Sequence, residues 1–288
     1  METVKSIDRL RELIKEKKAQ NPNLTVGFVP TMGFLHRGHA SLLEAARREC
    51  DLVVLSIFVN PLQFGPNEDF ERYPRDEERD LNISEEAGAD LVFFPQVEEM
   101  YPSPTKTIVS VSGVSEGLCG ASRPGHFDGV STVVTKLFHI VQPDRAYFGL
   151  KDAQQVAVIE QMVKDLNMPV TIVPCPIVRE ADGLALSSRN VYLSEEERSQ
   201  ALVLSAALNA AERLTEERGS GFTAAELTAL IRREIGRSPL ADIDYAEVLK
   251  YPTLEPFTAP EAGQRIIVAL AVRFGRTRLI DNRILNIR

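Results

Sequence analysis

The sequence lacks any long hydrophobic run and is poor in cysteine. None of its 288 residues lies in a stretch near the ~20 apolar residues that a membrane-spanning helix needs, and the opening METVKSIDRLRELIKEKK is too charged for a signal peptide. The three cysteines, Cys50, Cys119 and Cys175, are widely spaced and form no C-x-x-C pair. These absences predict a cytoplasmic protein with no membrane partner, in which each thiol is a reduced, buried or half-buried apolar group.

The chain also lacks an excess of positive charge. Its 33 lysines and arginines stand against 41 aspartates and glutamates, which gives a formal net charge of −8. Affinity for a nucleic acid comes mainly from cationic side chains that neutralise phosphates, so this balance argues against a nucleic-acid partner. A local basic pocket for a small anion remains compatible with an acidic protein.

The first 180 residues alternate short β-branched or aromatic runs with helical stretches, which is typical of βαβ units around a parallel sheet. The predicted strands are 25–29, 52–59, 91–94, 146–148 and 170–173, and the predicted helices are 38–49, 76–87, 129–141 and 153–166. We therefore predict the α/β class, with a Rossmann-like parallel sheet in a domain over 1–178. Ligands of such sheets bind beyond the carboxyl ends of the strands.

After Val178 the pattern changes. Ser194 and Glu197 are spaced as a capping box and open a helix that we predict to run unbroken through SEEERSQALVLSAALNAAERLTEER, with another helix over 222–235. The alternating DYAEVLKY and the apolar run RIIVALAVRF predict a small sheet. A smaller α+β domain, acting as a lid, is thus predicted over 179–288.

The sharpest local feature is GFVPTMGFLHRGH, in which a buried strand leads into His36 and His39 at the start of a helix. Side chains three apart face the same way, and a helix N-terminus offers free N–H groups to an anion. Gly33 and Gly38 would let the backbone approach a phosphate. The histidines could instead bind zinc or be a surface accident. The sequence has neither G-x-x-x-x-G-K-[ST] nor G-x-G-x-x-G, so any ATP would bind in another way.

The segment P-T-M-G-x-L-H-x-G-H resembles the HIGH motif in the form that it takes in pantothenate synthetases. FVNPLQF, RPGHFDGVSTVV, FGLKDAQQ and LALSSRN resemble the same family in order and spacing. The resemblance implies ATP-dependent condensation of pantoate with β-alanine through a pantoyl-adenylate, with Mg2+ accompanying the nucleotide, in a homodimer. The alternatives are a HIGH-type nucleotidyltransferase that stops at adenylyl or cytidylyl transfer, and a non-catalytic nucleotide-binding regulator.

The resemblance also implies which residues contact the nucleotide. Catalysis is assigned to four residues that stabilise charge around the phosphates, namely His36, His39, Lys151 and Arg189. Of these, His36 is the expected proton donor, with an imidazolium stabilising the departing pyrophosphate. The other expected nucleotide contacts are Met32, Gly33, Gly149, Leu150, Asp152, Val178, Leu186, Ser187 and Ser188.

The resemblance implies that pantoate contacts Gln63 and Gln155. An amide suits this role, since it offers a donor and an acceptor without adding a repelling charge. The same pocket is expected to include Met32, Asn60 and Tyr73.

Three further expectations concern single features. Asp80 is the candidate magnesium ligand, although this ion often binds mainly phosphate oxygens and water. The loop 63–75 is a hypothetical lid that would keep water from the adenylate. His139 lies on an apolar helix and is expected in the core.

Overall fold

The chain folds into two units, each with its own sheet. The computed structural model describes residues 1–66, 68 and 70–288. The first unit contains Met1–Val111, Arg123–Leu150 and Val158–Pro176, and the second contains Ser112–Ser122, Lys151–Ala157 and Ile177–Arg288. Two segments before residue 178 thus group with the second unit, and the limits 1–178 and 179–288 stay a prediction.

Within the described residues, six strands form one parallel sheet in the first unit. They are β1 Glu2–Val4, β2 Val26–Thr31, β3 Leu52–Ile57, β4 Leu91–Phe93, β5 Arg145–Gly149 and β6 Thr171–Cys175. Their order is β1-β4-β3-β2-β5-β6, with every pairing parallel. All residues of β3 are buried, as expected where both faces of a parallel sheet are covered. The predicted α/β class is confirmed, although β1 was not predicted.

The strand order changes direction between β2 and β5. From β2 the chain adds β3 and β4 on one side, whereas β5 and β6 lie on the other side. Loops that leave the carboxyl ends of two such strands diverge, and open α/β sheets bind their ligands in the resulting crevice. The loop after β2 begins at Met32 and the turn after β5 begins at Leu150, so two predicted site segments start at this point.

The helices up to residue 176 are α1 Ile7–Gln20, α2 Arg37–Glu49, α3 Glu77–Glu86, α4 Val97–Met100, α5 Cys119–Ser122, α6 His126–Val141 and α7 Ala153–Asp165. The apolar stripe of α2 packs on the sheet, where Leu43 and Val53 are fully buried in one cluster. Cys50 and Cys175 are buried and Cys119 is half-buried, all with free thiols. This placement matches the expectation for the cysteines.

The prediction that His139 lies in the core is wrong. The residue is on the exposed side of α6, and its ring Nδ1 donates to the Thr135 carbonyl at 2.8 Å. A hydrogen bond to the preceding turn satisfies the ring there without burial.

The sequence has no apolar run long enough to span a membrane, and the length and polarity of the helices bear on the same question. In the part of the chain that the structure describes, no helix is both long and apolar enough to cross a bilayer.

The second unit contains α8 Glu195–Ala201, α9 Val203–Arg218, α10 Ala224–Ile235, β7 Ala241–Lys250, β8 Arg265–Phe274 and β9 Thr277–Asn286. Ser194 and Glu197 form the predicted capping box. The single long helix predicted after it is wrong, because α8 and α9 are separated at Leu202. There the backbone N–H turns back to the Gln200 carbonyl, which interrupts the helical ladder without a Gly or Pro.

The strands β7, β8 and β9 form an antiparallel sheet in that order. Its central strand β8 is buried on both faces. Ile266, Val268 and Leu270 pack in one cluster with apolar residues of α9 and α10, whereas Ala269 and Ala271 pack in another. Successive residues of β8 point to opposite faces of the sheet, and both faces are buried. The β8 sequence is therefore one continuous apolar run.

We expect Leu270→Ala to destabilise the protein by about 3 kcal/mol, because it leaves a cavity in a fully buried layer. Chemical denaturation monitored by circular dichroism measures the loss. Leu240→Ala is the matched control, since that side chain is 36% exposed and we expect its change to stay within about 0.5 kcal/mol. Equal losses in the two variants would contradict this packing.

Candidate active site

The predicted histidine pair lies where β2 runs into α2. His36 is the N-cap of α2, and its Nδ1 accepts the N–H of Gly38 at 3.1 Å. The backbone N–H of His36 in turn donates to Nδ1 of His39 at 3.3 Å. The two rings lie 4.1 Å apart between centroids. The histidines therefore form a reciprocal capping box, a motif usually made by Ser or Thr with Glu or Gln.

This arrangement fixes the tautomer of both rings. A nitrogen that accepts an N–H bond carries no proton, so a neutral ring in this position holds its proton on Nε2. In that form Nε2 of each histidine is a hydrogen-bond donor. An imidazolium would have to give up the capping bond, which makes the expected charged form of His36 less suited to this geometry than a neutral donor.

Asp80 of α3 holds the loop that carries these histidines. Its carboxylate accepts the backbone N–H groups of Phe34 at 2.8 Å and Leu35 at 2.6 Å, and the residue is 2% exposed. Burial raises the pKa of Asp80, and the two amide bonds only partly offset that effect. Both oxygens are engaged by the loop, so the structure supports an anchoring role better than the expected magnesium ligation.

Gly33 adopts a left-handed conformation with φ of +83°. A Cβ there would stand 2.8 Å from Asp80 Oδ2 and 2.9 Å from the Ile57 methyl group. The missing side chain therefore makes room for the Asp80 carboxylate and for β3. From the sequence we expected a different reason for this glycine, namely close approach of the backbone to a phosphate.

The structure brings Met32, Asn60 and Gln63 together, as the pantoate assignment requires. Asn60 caps the 3₁₀ turn Pro61–Gln63, and its Nδ2 donates to Gln63 Oε1 at 3.2 Å. Gln63 Nε2 lies 3.0 Å from the Met32 sulfur. Tyr101 adds a donor that the sequence did not predict, since its hydroxyl donates to Asn60 Oδ1 at 2.8 Å.

Tyr73, the remaining residue assigned to this pocket in the first unit, is buried. Its ring lies 6.1 Å from that of Phe64, edge to face. Both residues belong to the loop 63–75 that we named as a possible lid. Residues 67 and 69 of that loop lie outside the described residues.

A second group of side chains holds the backbone of Gln63, and the sequence did not predict it. Arg123 makes two bonds of 2.6 Å to Glu68 and donates to Nε2 of His126 at 3.1 Å. His126 Nδ1 then donates to the Gln63 carbonyl at 2.9 Å. Although burial works to raise it, the Arg123 hydrogen bond and charge bring the pKa of Glu68 below its usual value. The sequence feature that could have indicated this group is the segment RPGH, which contains both Arg123 and His126.

Lys151, Asp152 and Gln155 belong to the second unit. Leu150–Asp152 forms a 3₁₀ turn before α7, and the Lys151 carbonyl accepts from Asn282 Nδ2 of β9 at 2.8 Å. The Lys151 ammonium lies 3.9 Å from the Asp152 carboxylate. The lysine backbone is thus fixed to the sheet of the second unit.

The segment 178–190 folds back on itself, with the Leu186 N–H donating to the Val178 carbonyl at 3.0 Å. Arg179 fastens the fold by two bonds, of 2.7 and 2.8 Å, to Asp281 of β9. Ser187 caps the 3₁₀ turn Ser188–Tyr192 by accepting the N–H of Arg189 at 3.3 Å. The expected contacts Val178, Leu186, Ser187, Ser188 and Arg189 therefore form one local structure.

Across residues 1–66, 68 and 70–288, no group of three His, Cys, Asp or Glu side chains is arranged to bind a metal ion.

Taken together, the parallel sheet, its change of strand direction after β2 and the histidine-capped loop define an α/β enzyme with a HIGH-type site. A family model described as pantoate-beta-alanine ligase matches residues 2–284. The chain belongs to this family. It is an ATP-using ligase that joins pantoate to β-alanine, so the predicted family and activity are confirmed.

Relatives of this chain share nearly its whole length. Pantothenate synthetase of Acetivibrio thermocellus is 57% identical over 288 residues, 100% of either chain, and that of Caldicellulosiruptor saccharolyticus is 55% identical over 284 residues, 98% of either chain. The crystal structure of pantothenate synthetase from Thermus thermophilus superposes with a TM-score of 0.90 at 51% identity, covering 98% of this chain and 99% of that chain. Pantoate-beta-alanine ligase from Francisella tularensis, complexed with beta-gamma ATP and beta-alanine, gives 0.78 at 34% identity, covering 98% and 97%.

We expect Gly129→Ala to raise the KM for pantoate by about tenfold, because α6 approaches the Gln63 turn too closely for a side chain. A Cβ at Gly129 would stand 2.6 Å from Gln63 Cα and closer still to the Leu62 carbonyl. Steady-state kinetics measure the change. Gly117→Ala is the control, since a Cβ there meets no heavy atom within 4 Å. An unchanged KM for pantoate in Gly129→Ala would contradict the close approach.

Proposed function

We propose that the enzyme works in two steps, with the capped histidine pair acting on the phosphates of ATP. A pantoate carboxylate oxygen attacks the α-phosphorus, the bond from that phosphorus to the bridging oxygen breaks, and pyrophosphate leaves. The unprotonated β-alanine amine then attacks the acyl carbon of pantoyl-adenylate, the bond from that carbon to the AMP oxygen breaks, AMP leaves, and the nitrogen loses one proton to water. The observation that carries the proposal is the pair of Nδ1 acceptors at the start of α2, which puts the proton of each neutral ring on Nε2.

The first step needs no general base, because the pantoate carboxylate is already ionised. Its barrier falls through in-line positioning of the reactants and through donors aimed at the charge that develops on the phosphates. Neutral Nε2–H groups of His36 and His39 suit the second task. They donate without first having to lose or gain a proton, and the cap holds their rings in place.

Positive charge for the same phosphates is assigned to Lys151 and Arg189. The hydroxyl of Ser187 accepts the Arg189 N–H and still has its own hydrogen to donate, as does Ser188. The adenosine is assigned to Gly149, Leu150, Asp152, Val178 and Leu186, with Gly33 and Met32 near the phosphates. Family membership supports these roles.

Pantoate is assigned to Gln63 and Gln155, with Asn60, Met32 and Tyr73 shaping the pocket. The Asn60 and Met32 contacts of Gln63 support this, since they orient the amide before the acid binds. The Francisella relative with beta-alanine supports a site for the second substrate. The adenylate makes the second step feasible, because AMP is a far better leaving group than oxide.

The remaining expectations are a magnesium ion that enters with the nucleotide, a homodimer and a cytoplasmic location. Magnesium prefers phosphate oxygens and water, so the nucleotide itself would supply much of its coordination. A two-fold dimer is the commonest assembly among soluble oligomers.

His36→Ala and Lys151→Ala should slow adenylate formation by about 100-fold or more, because each removes a donor aimed at developing phosphate charge. Pantoate-dependent exchange of pyrophosphate into ATP measures this step alone. His139→Ala and Lys164→Ala are matched controls, since both side chains are exposed. Wild-type exchange in the two site variants would refute their roles.

The reaction itself is tested by incubating the protein with ATP, Mg2+, pantoate and β-alanine and separating the nucleotides. We expect AMP and pyrophosphate in amounts equal to pantothenate, with exchange persisting when β-alanine is omitted. ADP as the product would replace the adenylate with an acyl phosphate. Exchange without any β-alanine-dependent AMP release would favour a nucleotidyltransferase that stops after the first step.

A further inference from the structure

The loop between β2 and α2 depends on one buried carboxylate from a distant part of the chain. Asp80 lies in the first turn of α3, and each of its oxygens accepts a different backbone N–H, from Phe34 and from Leu35. The residue is 2% exposed, so water does not compete for these bonds. Each of the two adjacent amides is thus paired with its own oxygen of the same carboxylate.

The loop needs this support because its backbone is held in an uncommon conformation. Gly33 and Phe34 both have positive φ, +83° and +50°. A left-handed phenylalanine is disfavoured by its own Cβ and persists only where surrounding contacts impose it. Those contacts are the Asp80 bond to its N–H and the Arg79 guanidinium, 4.8 Å from its ring centroid. Both come from the first turn of α3.

The same loop sets the parts that act on substrates. It begins with Met32, whose sulfur contacts the Gln63 amide, and it ends with His36, whose conformation caps α2. A shift at Phe34 and Leu35 would therefore move both ends, since only a few residues separate them. The carboxylate does not have to touch a substrate to influence the reaction.

We propose that Asp80 is a positioning residue for the adenylation step, one that holds the loop Met32–His36 in its active conformation through the Phe34 and Leu35 amides. This role rests on the proposed function of the histidine pair. A carboxylate is suited to it because it offers two acceptors and no donor. Asparagine of the same shape would satisfy one amide and present its own N–H2 to the other.

The test compares Asp80→Asn with Asp76→Ala. Asp76 is the exposed N-cap of the same helix and accepts the Arg79 N–H, so its loss weakens α3 without removing a loop bond. We expect Asp80→Asn to lower the rate of pantoate-dependent pyrophosphate exchange by about 100-fold. Asp76→Ala should keep near wild-type exchange even if it lowers the melting temperature as much.

Two further readouts separate positioning from other roles. Amide hydrogen exchange of a peptide containing Phe34 and Leu35 should become faster in Asp80→Asn and stay unchanged in Asp76→Ala. The Mg2+ concentration that gives half-maximal pyrophosphate exchange should be the same in Asp80→Asn and in the wild type. A shifted Mg2+ requirement with unchanged amide exchange would make Asp80 a metal ligand and overturn the inference.

The remaining outcomes are also distinct. Absence of pantoate-dependent exchange in the wild type would refute the proposed function itself. Wild-type exchange in Asp80→Asn would refute the positioning role alone. Equal losses of exchange in Asp80→Asn and Asp76→Ala would mean that helix stability, rather than the loop bonds, controls the site, and would overturn the inference as well.

Discussion

The two amide bonds to Asp80 are the constraint on which the rest of the loop depends. Removing a carboxylate from water costs several kcal/mol unless nearby donors replace the lost hydration. Here two N–H groups do so only in part, because burial still leaves the pKa of Asp80 raised. A residue with an unfavourable charged form contributes little to stability for its own sake. Its position is understood through the backbone that it holds, since its two oxygens accept the N–H groups of Phe34 and Leu35.

The neighbouring part of the first unit follows the same principle of fixing backbone rather than side chains alone. Asn60 Nδ2 donates to the Gly129 carbonyl at 3.1 Å, and His126 donates to the Gln63 carbonyl. The close approach at Gly129 leaves no gap between α6 and the 3₁₀ turn. A short turn held at its carbonyl, its cap and its packing surface keeps little conformational freedom. Preorganisation of this kind lowers the entropy that is lost when a small substrate binds.

Local patterns in the sequence predicted much of this structure, whereas elements too short for a pattern and contacts between distant residues were missed. The βα alternation and the HIGH-type loop depend on neighbours within a few residues, so a period or motif records them. β1 has three residues, too few for a period, and β9 mixes charged with apolar residues because Asp281 and Arg283 bind outside the sheet. Asp80 meets its partners 45 and 46 positions away. Such a pair leaves no local signature in one sequence, so the loop contacts of Asp80 could not be predicted.

The capping geometry also explains why histidines alone would not suffice for the proposed chemistry. Nδ1 of each ring accepts a backbone N–H, so the proposal uses each ring as a directed, neutral donor. A neutral donor stabilises developing charge through its dipole, and that interaction is weaker than the attraction of a full cation at the same distance. The departing pyrophosphate carries several negative charges. Direction and charge are therefore supplied by different residues in this proposal, with the histidines fixed by a helix cap and the charge carried by Lys151 and Arg189. A lysine with a fixed backbone and a long side chain is suited to follow a leaving group, whereas a capped imidazole is suited to stay in place.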